Sequence, residues 1–108
     1  MTATLMIDDP VLARFRLALW GAYGERLVRV VLFGSRARGE ARADSDYDIA
    51  VFLRDMTDRG RELHRLADLG VGVTDATGGV VHAMPYAAEA YHERTPLMRE
   101  IRREGIEL

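Results

Sequence analysis

The sequence predicts an α/β (α+β) domain, with a small sheet packed on helices. The first observation is two apolar runs rich in valine or isoleucine, residues 27–33 and 46–53, which are typical of buried strands. The second is that segments with apolar residues at helical spacing precede and follow these runs. Because domains commonly contain about 100 to 150 residues, the 108-residue chain is expected to form one domain, residues 1–108.

Composition and charge narrow the class of protein. The hydrophobic share of 48% and the charged share of 30% indicate neither disorder nor a coiled coil. Without cysteine there is no disulfide framework, thiolate metal site or cysteine nucleophile. The net charge of -2 lacks the basic footprint of a nucleic-acid binder, so we expect no direct binding of long nucleic acids. No stretch approaches the roughly 18 apolar residues of a membrane span, and we expect a soluble, cytoplasmic protein with no membrane partner.

The first helix is predicted from a capping signal. Residues 1–8 are expected to be a loose start, and Asp9-Pro10 is typical of an N-cap followed by proline at the first helical position. Gly21 and Gly24 are expected to end the helix. The apolar residues that give it one buried face are Val11, Leu12, Phe15, Leu19 and Ala22.

The second half of the chain predicts two further helices and one short strand. Thr57 or Asp58 can cap a helix that continues to about Ala76. Residues 80–84 form a strand candidate that Pro85 closes, because proline cannot continue a central ladder. A short helix is expected at 87–93. A last helix starts at Thr95-Pro96 and ends near Gly105, with an inward face of Leu97, Met98 and Ile101.

A small-residue turn, Gly34-Ser35, follows the first predicted strand at once. Glycine permits close backbone approach, and Ser35 can cap the short segment 36–40 while it offers a hydroxyl and amide hydrogens to an anion. Arg36 and Arg38 can donate to phosphate oxygens. These four residues are therefore candidates for binding the phosphates of a nucleotide. The alternative is a capped turn with solvated arginines.

Two carboxylates, Asp46 and Asp48, open the second predicted strand. The two-residue period of a strand places both on one face, where they repel each other unless a cation or a proton lies between them. Magnesium is commonly bound by one or two carboxylates together with substrate phosphates. The pair therefore predicts a magnesium site facing the Gly-Ser turn, with a solvent-exposed acidic loop as the alternative.

Gly34-Ser35, ten residues (36–45) and then Asp46-Tyr47-Asp48 together resemble the signature of nucleotidyltransferases with the DNA polymerase beta type fold. The stretch is especially similar to the minimal nucleotidyltransferases. The resemblance implies a nucleotidyltransferase fold, a small mixed sheet of about three to four strands packed on helices. It implies that Ser35, Asp46 and Asp48 serve catalysis, that Gly34, Ser35, Arg36 and Arg38 hold ATP, and that Asp46 and Asp48 bind two Mg²⁺ ions.

The resemblance also implies a third carboxylate on a later strand, and the sequence departs from that pattern. Residues 80–84 contain no acid, and nothing in the sequence places the flanking Asp75 or Glu89 at the site. His82 could substitute as a ligand or a base, or could be purely structural.

Three functions are compatible with the sequence. The first is transfer of AMP from ATP to a hydroxyl of a partner, as in the antitoxins that modify a HEPN RNase toxin; the small size leaves the acceptor to a separate protein. The second is a nucleotidyltransferase-fold binding module that neutralises or regulates a partner by contact alone. The third is transfer to a small molecule such as an aminoglycoside.

Overall fold

Four strands form one mixed sheet in the computed structural model, which describes residues 9–108. The strands are β1 (Leu27–Phe33), β2 (Tyr47–Leu53), β3 (Val81–Ala87) and β4 (Ile106–Glu107), and their order across the sheet is β3-β2-β1-β4. Strand β1 pairs antiparallel with β2 and β4, whereas β2 pairs parallel with β3. The expected small mixed sheet of three to four strands is confirmed, and the expected loose start at 1–8 lies outside the described residues.

The helices of the described residues are α1 (Pro10–Tyr23), α2 (Ser35–Arg38), α3 (Arg59–Thr77) and α4 (Pro96–Glu104). Two 3-10 turns, Gly24–Arg26 and Ala88–His92, complete the connections. None of these helices combines the length and apolar character needed to cross a membrane.

Side-chain caps begin the three longer helices, as the sequence predicts. The Oδ1 atom of Asp9 accepts a hydrogen bond from the Val11 amide at 2.8 Å. Asp58 and Thr95 each accept one, at 3.1 Å, from the amide three residues further along. Each bond satisfies an amide that has no partner inside the helix, which fixes where the helix starts.

Both faces of the sheet are covered. Helices α1 and α3 pack on one face, and α4 with the 3-10 turn at 88–92 packs on the other. Strand β2 alternates between the two cores as predicted, with Ile49, Val51 and Leu53 in the first and Ala50 and Phe52 in the second. Strands β1 and β2 are the two central strands of the sheet, and the loop between them emerges at one end of it.

Two features of the sheet differ from the prediction. Strand β3 does not close at Pro85 but continues to Ala87, with Pro85 in register with Val51. Proline is tolerated there because β3 is an edge strand, which needs hydrogen bonds on one side only. Strand β4 was not predicted, because two residues carry no periodic signal.

Two helix details also differ. Leu97 is 37% exposed, whereas Met98 and Ile101 are buried. Leu97 lies in the first turn of α4, where the neighbouring residues 95 and 96 are exposed as well. Gly21 does not end α1; the helix continues to Tyr23 and ends at Gly24, whose φ of 52° suits glycine.

Substituting Ile101→Ala should lower the free energy of unfolding by about 2 to 5 kcal/mol, because it leaves a cavity between α4 and the sheet. Leu97→Ala on the same helix is the matched control and should cost far less, since its side chain is partly in solvent. Urea denaturation of both variants measures the difference. Equal losses would contradict the assignment of the α4 inner face.

Candidate functional site

The backbone of Gly34 lies directly against the carboxylate of Asp48. The register of the central strands causes this contact, because Phe33 at the end of β1 pairs with Asp48 near the start of β2. Gly34 has a φ of 77° and a ψ of -156°, a conformation found almost only in glycine. A Cβ atom at Gly34 would also overlap Oδ2 of Asp48. The structure thus places Asp48, one of the two predicted metal ligands, against the Gly34-Ser35 turn that is predicted to bind phosphate.

Ser35 is the first residue of α2 and does not cap it. The N-cap is Gly34, and no side chain makes a cap hydrogen bond. The expectation that Ser35 caps the following segment is therefore wrong, because the helix starts one residue earlier than predicted. The Ser35 hydroxyl, half-buried beside the turn, is not engaged in holding the helix start.

Asp46 precedes β2, which begins at Tyr47, and it is exposed. The prediction that the second strand starts at Asp46 is therefore wrong by one residue. Because Asp46 lies outside the strand, strand alternation does not fix the direction of its carboxylate. Within residues 9–108, no group of three or more His, Asp or Glu side chains converges to hold a metal ion. The carboxylate that the fold positions at the turn is that of Asp48.

Arg36 holds the loop that leads into Asp46. Its Nε and Nη2 donate to the carbonyl oxygen of Ser45 at 3.0 and 2.7 Å, and Nη2 also donates to the carbonyls of residues 42 and 43 at 3.3 Å. Its guanidinium carbon lies 3.8 Å from the centre of the Tyr47 ring, a cation–π distance. The sequence indicated phosphate binding for Arg36 and gave no signal for this main-chain role.

Tyr47 connects that loop to α1. Its hydroxyl donates to Oδ2 of Asp9 at 2.7 Å, while the other carboxylate oxygen of Asp9 caps the helix. Burial raises the pKa of Tyr47 to about 12, and the hydrogen bond and negative charge of Asp9 contribute to the rise. The hydroxyl therefore remains a donor at neutral pH. This contact joins residues 38 positions apart, and no local pattern could have indicated it.

Arg38 lies among three carboxylates. Its Nε is 3.2 Å from Glu40, and its Nη1 is 3.6 and 3.5 Å from Glu100 and Glu104 of α4. Exposed ion pairs of this kind contribute little to stability, about 0 to 1 kcal/mol. Arg38 follows the turn in α2 and can give up its exposed partner Glu40 at low cost. The pair with Glu104 is harder to give up, because Oε2 of Glu104 is buried and accepts no hydrogen bond.

His82 of β3 faces Asp48 across the parallel pair of strands. The two residues are in register, and His82 Nδ1 lies 3.5 Å from Asp48 Oδ1. Strand β3 contains no acid, and both Asp75 and Glu89 are exposed on neighbouring elements. Among the described residues, the side chain that the neighbouring strand presents to Asp48 is thus an imidazole rather than a third carboxylate.

A cavity of about 440 Å³ lies beside the Arg36–Tyr47 pair, but neither Gly34 nor Asp48 lines it. Its walls come from the first helix, the loop before β2 and the end of α3, on the face of the sheet opposite to Asp48. We therefore place the candidate site at the open surface around Gly34 and Asp48. The cavity is lined by Val11, Arg36, Ala43, Asp44, Ser45, Tyr47, Thr77, Gly78, Gly79 and Val80.

Comparison with known proteins gives a family and a set of similar structures. The model of a nucleotidyltransferase domain matches residues 12–102, whereas no curated protein gives a significant match. A solved structure assigned as a minimal nucleotidyltransferase is 30% identical, with a TM-score of 0.62 over 93% of this chain and 94% of the other.

Toxin–antitoxin structures are also similar to the chain. One, solved with AMP-PNP, is 22% identical, with a TM-score of 0.61 over 86% of this chain and 68% of the other. A mutant of the MntA-HpeT toxin–antitoxin is 21% identical, with a TM-score of 0.60 over 85% and 68%. At these identities the likeness shows the fold.

Substituting Gly34→Ala should destabilise the protein by about 3 kcal/mol or more, because strained backbone and overlap with Asp48 act together. Gly39→Ala is the matched control: Gly39 also has a positive φ, 74°, but a Cβ atom there meets nothing within 4 Å. It should cost about 1 to 2 kcal/mol. Denaturant titration compares the two, and equal losses would contradict the close approach of Asp48.

Proposed function

Because the chain belongs to the nucleotidyltransferase domain family, we propose that it transfers AMP from ATP to a hydroxyl group of a partner protein. In this proposal residues 1–108 act as one minimal nucleotidyltransferase domain. The partner is a toxin of the HEPN type, and the chain is its antitoxin. The observation that carries the proposal is the contact of the Asp48 carboxylate with the backbone of the Gly34 turn.

The turn supplies the groups that would bind the triphosphate. The backbone at Gly34 allows close approach, and the hydroxyl of Ser35 is not used as a helix cap. Arg38 would exchange its exposed partner Glu40 for phosphate oxygens, which its planar fork of donors fits. Arg36 would contribute mainly by holding the loop, since its Nε and Nη2 already contact main-chain oxygens.

The donor set at the turn fits a magnesium ion, because carboxylate oxygens and phosphates are its preferred ligands. Asp48 is fixed against the turn, and Asp46, two residues earlier, is exposed and free to join it. Asp46 and Asp48 would hold the two Mg²⁺ ions of the proposal, which when bound supply charge neutralisation for the leaving pyrophosphate and activation of the attacking hydroxyl.

The reaction is a single displacement. The partner's hydroxyl oxygen forms a bond to the α-phosphorus of ATP as the bond from that phosphorus to the pyrophosphate oxygen breaks. The proton of the hydroxyl passes to solvent water, and the electron pair of the broken bond leaves with pyrophosphate. The chain's own residues position the triphosphate and shield its charge, so no covalent enzyme intermediate is expected.

Two of the similar structures support the nucleotide and the partner. One is a toxin–antitoxin with AMP-PNP, an analogue of ATP, and another is the MntA-HpeT toxin–antitoxin. By analogy, an adenine nucleotide and a toxin protein are the natural candidates for this chain. We also propose that the protein acts in the cytoplasm, where ATP and Mg²⁺ are both abundant.

A second candidate function is neutralisation of the partner by contact alone. It is favoured by the lack of a third converging carboxylate among the described residues. Exposed apolar side chains on α1 and α3, Leu17 at 73% and Val71 at 60% exposure, offer contact area away from Asp48. In this second candidate function the partner is still a toxin, but no AMP is transferred to it.

The two candidates separate when the protein is mixed with ATP, Mg²⁺ and a HEPN-type toxin, and the intact mass of the toxin is measured. We expect the mass to rise by one AMP group. The double variant Asp46→Asn with Asp48→Asn should abolish the rise, and Asp44→Asn in the same loop should leave it unchanged. An unchanged toxin mass in a stable complex would contradict AMP transfer and support neutralisation by contact.

A further inference from the structure

His82 is held opposite Asp48 by a continuous parallel ladder. Pairs from Tyr47 with Val81 to Leu53 with Ala87 keep β2 and β3 in one register. The Tyr47 amide also donates to the Val80 carbonyl at 2.9 Å, just before the ladder begins. A shift of register by one residue would turn Val81 and Ala83 of β3 away from the core, so the position of His82 is fixed by the sheet.

The contact between the two side chains is long for a hydrogen bond. His82 Nδ1 and Asp48 Oδ1 are 3.5 Å apart, whereas a good N–H···O bond is about 2.9 Å. The side chains are 67% and 34% exposed, so a direct ion pair would contribute little. Their proximity therefore does little for the stability of the fold.

The same separation suits two ligands of one cation. In zinc sites the bonds to imidazole nitrogen and carboxylate oxygen are about 2.0 to 2.2 Å long, so two ligand atoms of one ion of this size lie at most about 4.2 Å apart. The distance of 3.5 Å is within that limit without any movement of the backbone. The exposed imidazole leaves the space around both atoms open to a further ligand such as a phosphate.

We propose that His82 is a nitrogen ligand of the cation that Asp48 binds, and that it shifts the site's preference from Mg²⁺ toward a transition-metal ion, with Mn²⁺ as the probe. This inference rests on the metal site of the proposed function. Imidazole suits first-row transition-metal ions, whereas Mg²⁺ prefers oxygen ligands. Mn²⁺ shares that oxygen preference and binds most weakly of the transition-metal series, so a gain for Mn²⁺ over Mg²⁺ is the most demanding sign of a nitrogen ligand. A mixed pair of Asp48 and His82 therefore gains affinity for Mn²⁺ where a pair of carboxylates would favour Mg²⁺.

The test measures the affinity of the protein for metal ions and does not require an assay of AMP transfer. Free Mn²⁺ is followed by its electron paramagnetic resonance signal as the full chain is added, and Mg²⁺ affinity is obtained by competition. His82→Ala should weaken Mn²⁺ binding by about tenfold or more while it changes Mg²⁺ binding little. His82→Asp should strengthen Mg²⁺ binding and lower the preference for Mn²⁺.

His64→Ala is the matched control, because His64 also lies near an aspartate, Asp68, but on the exposed face of α3. It should leave both affinities unchanged, and thermal unfolding confirms that each variant is folded. Equal Mn²⁺ affinity in the unchanged protein and His82→Ala would overturn the inference, provided that Asp48→Asn still weakens binding. If Asp48→Asn also has no effect, the metal site of the proposed function fails as well.

Discussion

The contact between the Gly34 backbone and the Asp48 carboxylate is the constraint on which the site depends. It follows from the antiparallel register of β1 and β2, which brings the end of one central strand beside the start of the next. A Cβ atom at position 34 would remove the space that the carboxylate occupies. The buried cores on both sides of these strands then hold the contact in place, so the stability of the sheet and the geometry of the site are linked.

The connection from β1 to β2 begins with the short helix α2, but its second half, residues 40–46, is polar and forms no helix or strand. Arg36 supplies the order by bonding to its carbonyl oxygens and stacking on Tyr47, which in turn donates to Asp9 at the start of α1. A residue expected to bind phosphate thus also positions the backbone before Asp46. Because Nε and Nη2 of Arg36 already donate to the Ser45 carbonyl, Arg36 has fewer donors left for phosphate. Arg38 is therefore the better candidate for binding phosphate near the turn.

Short-range patterns in the sequence correctly predicted the features of the fold that depend on neighbouring residues. The caps at Asp9 and Thr95 and the alternation of β2 are short-range patterns, and the fold agrees with them. The extension of β3 past Pro85 and the pairing of Asp48 with His82 depend instead on which strands are neighbours and in what direction. Periodicity does not specify strand order, so the sequence could name His82 as a candidate but could not place it.

In the proposed function, a divalent cation and a nucleotide triphosphate bind together at the Gly34 turn beside Asp48. The most direct measurement is an amide NMR spectrum of the labelled protein with Mn²⁺ and a non-hydrolysable ATP analogue, in which the paramagnetic ion broadens nearby signals. We expect the strongest broadening at Gly34, Ser35 and Asp48. Strongest broadening at another acidic region, such as Asp55 and Asp58 before α3, would contradict it.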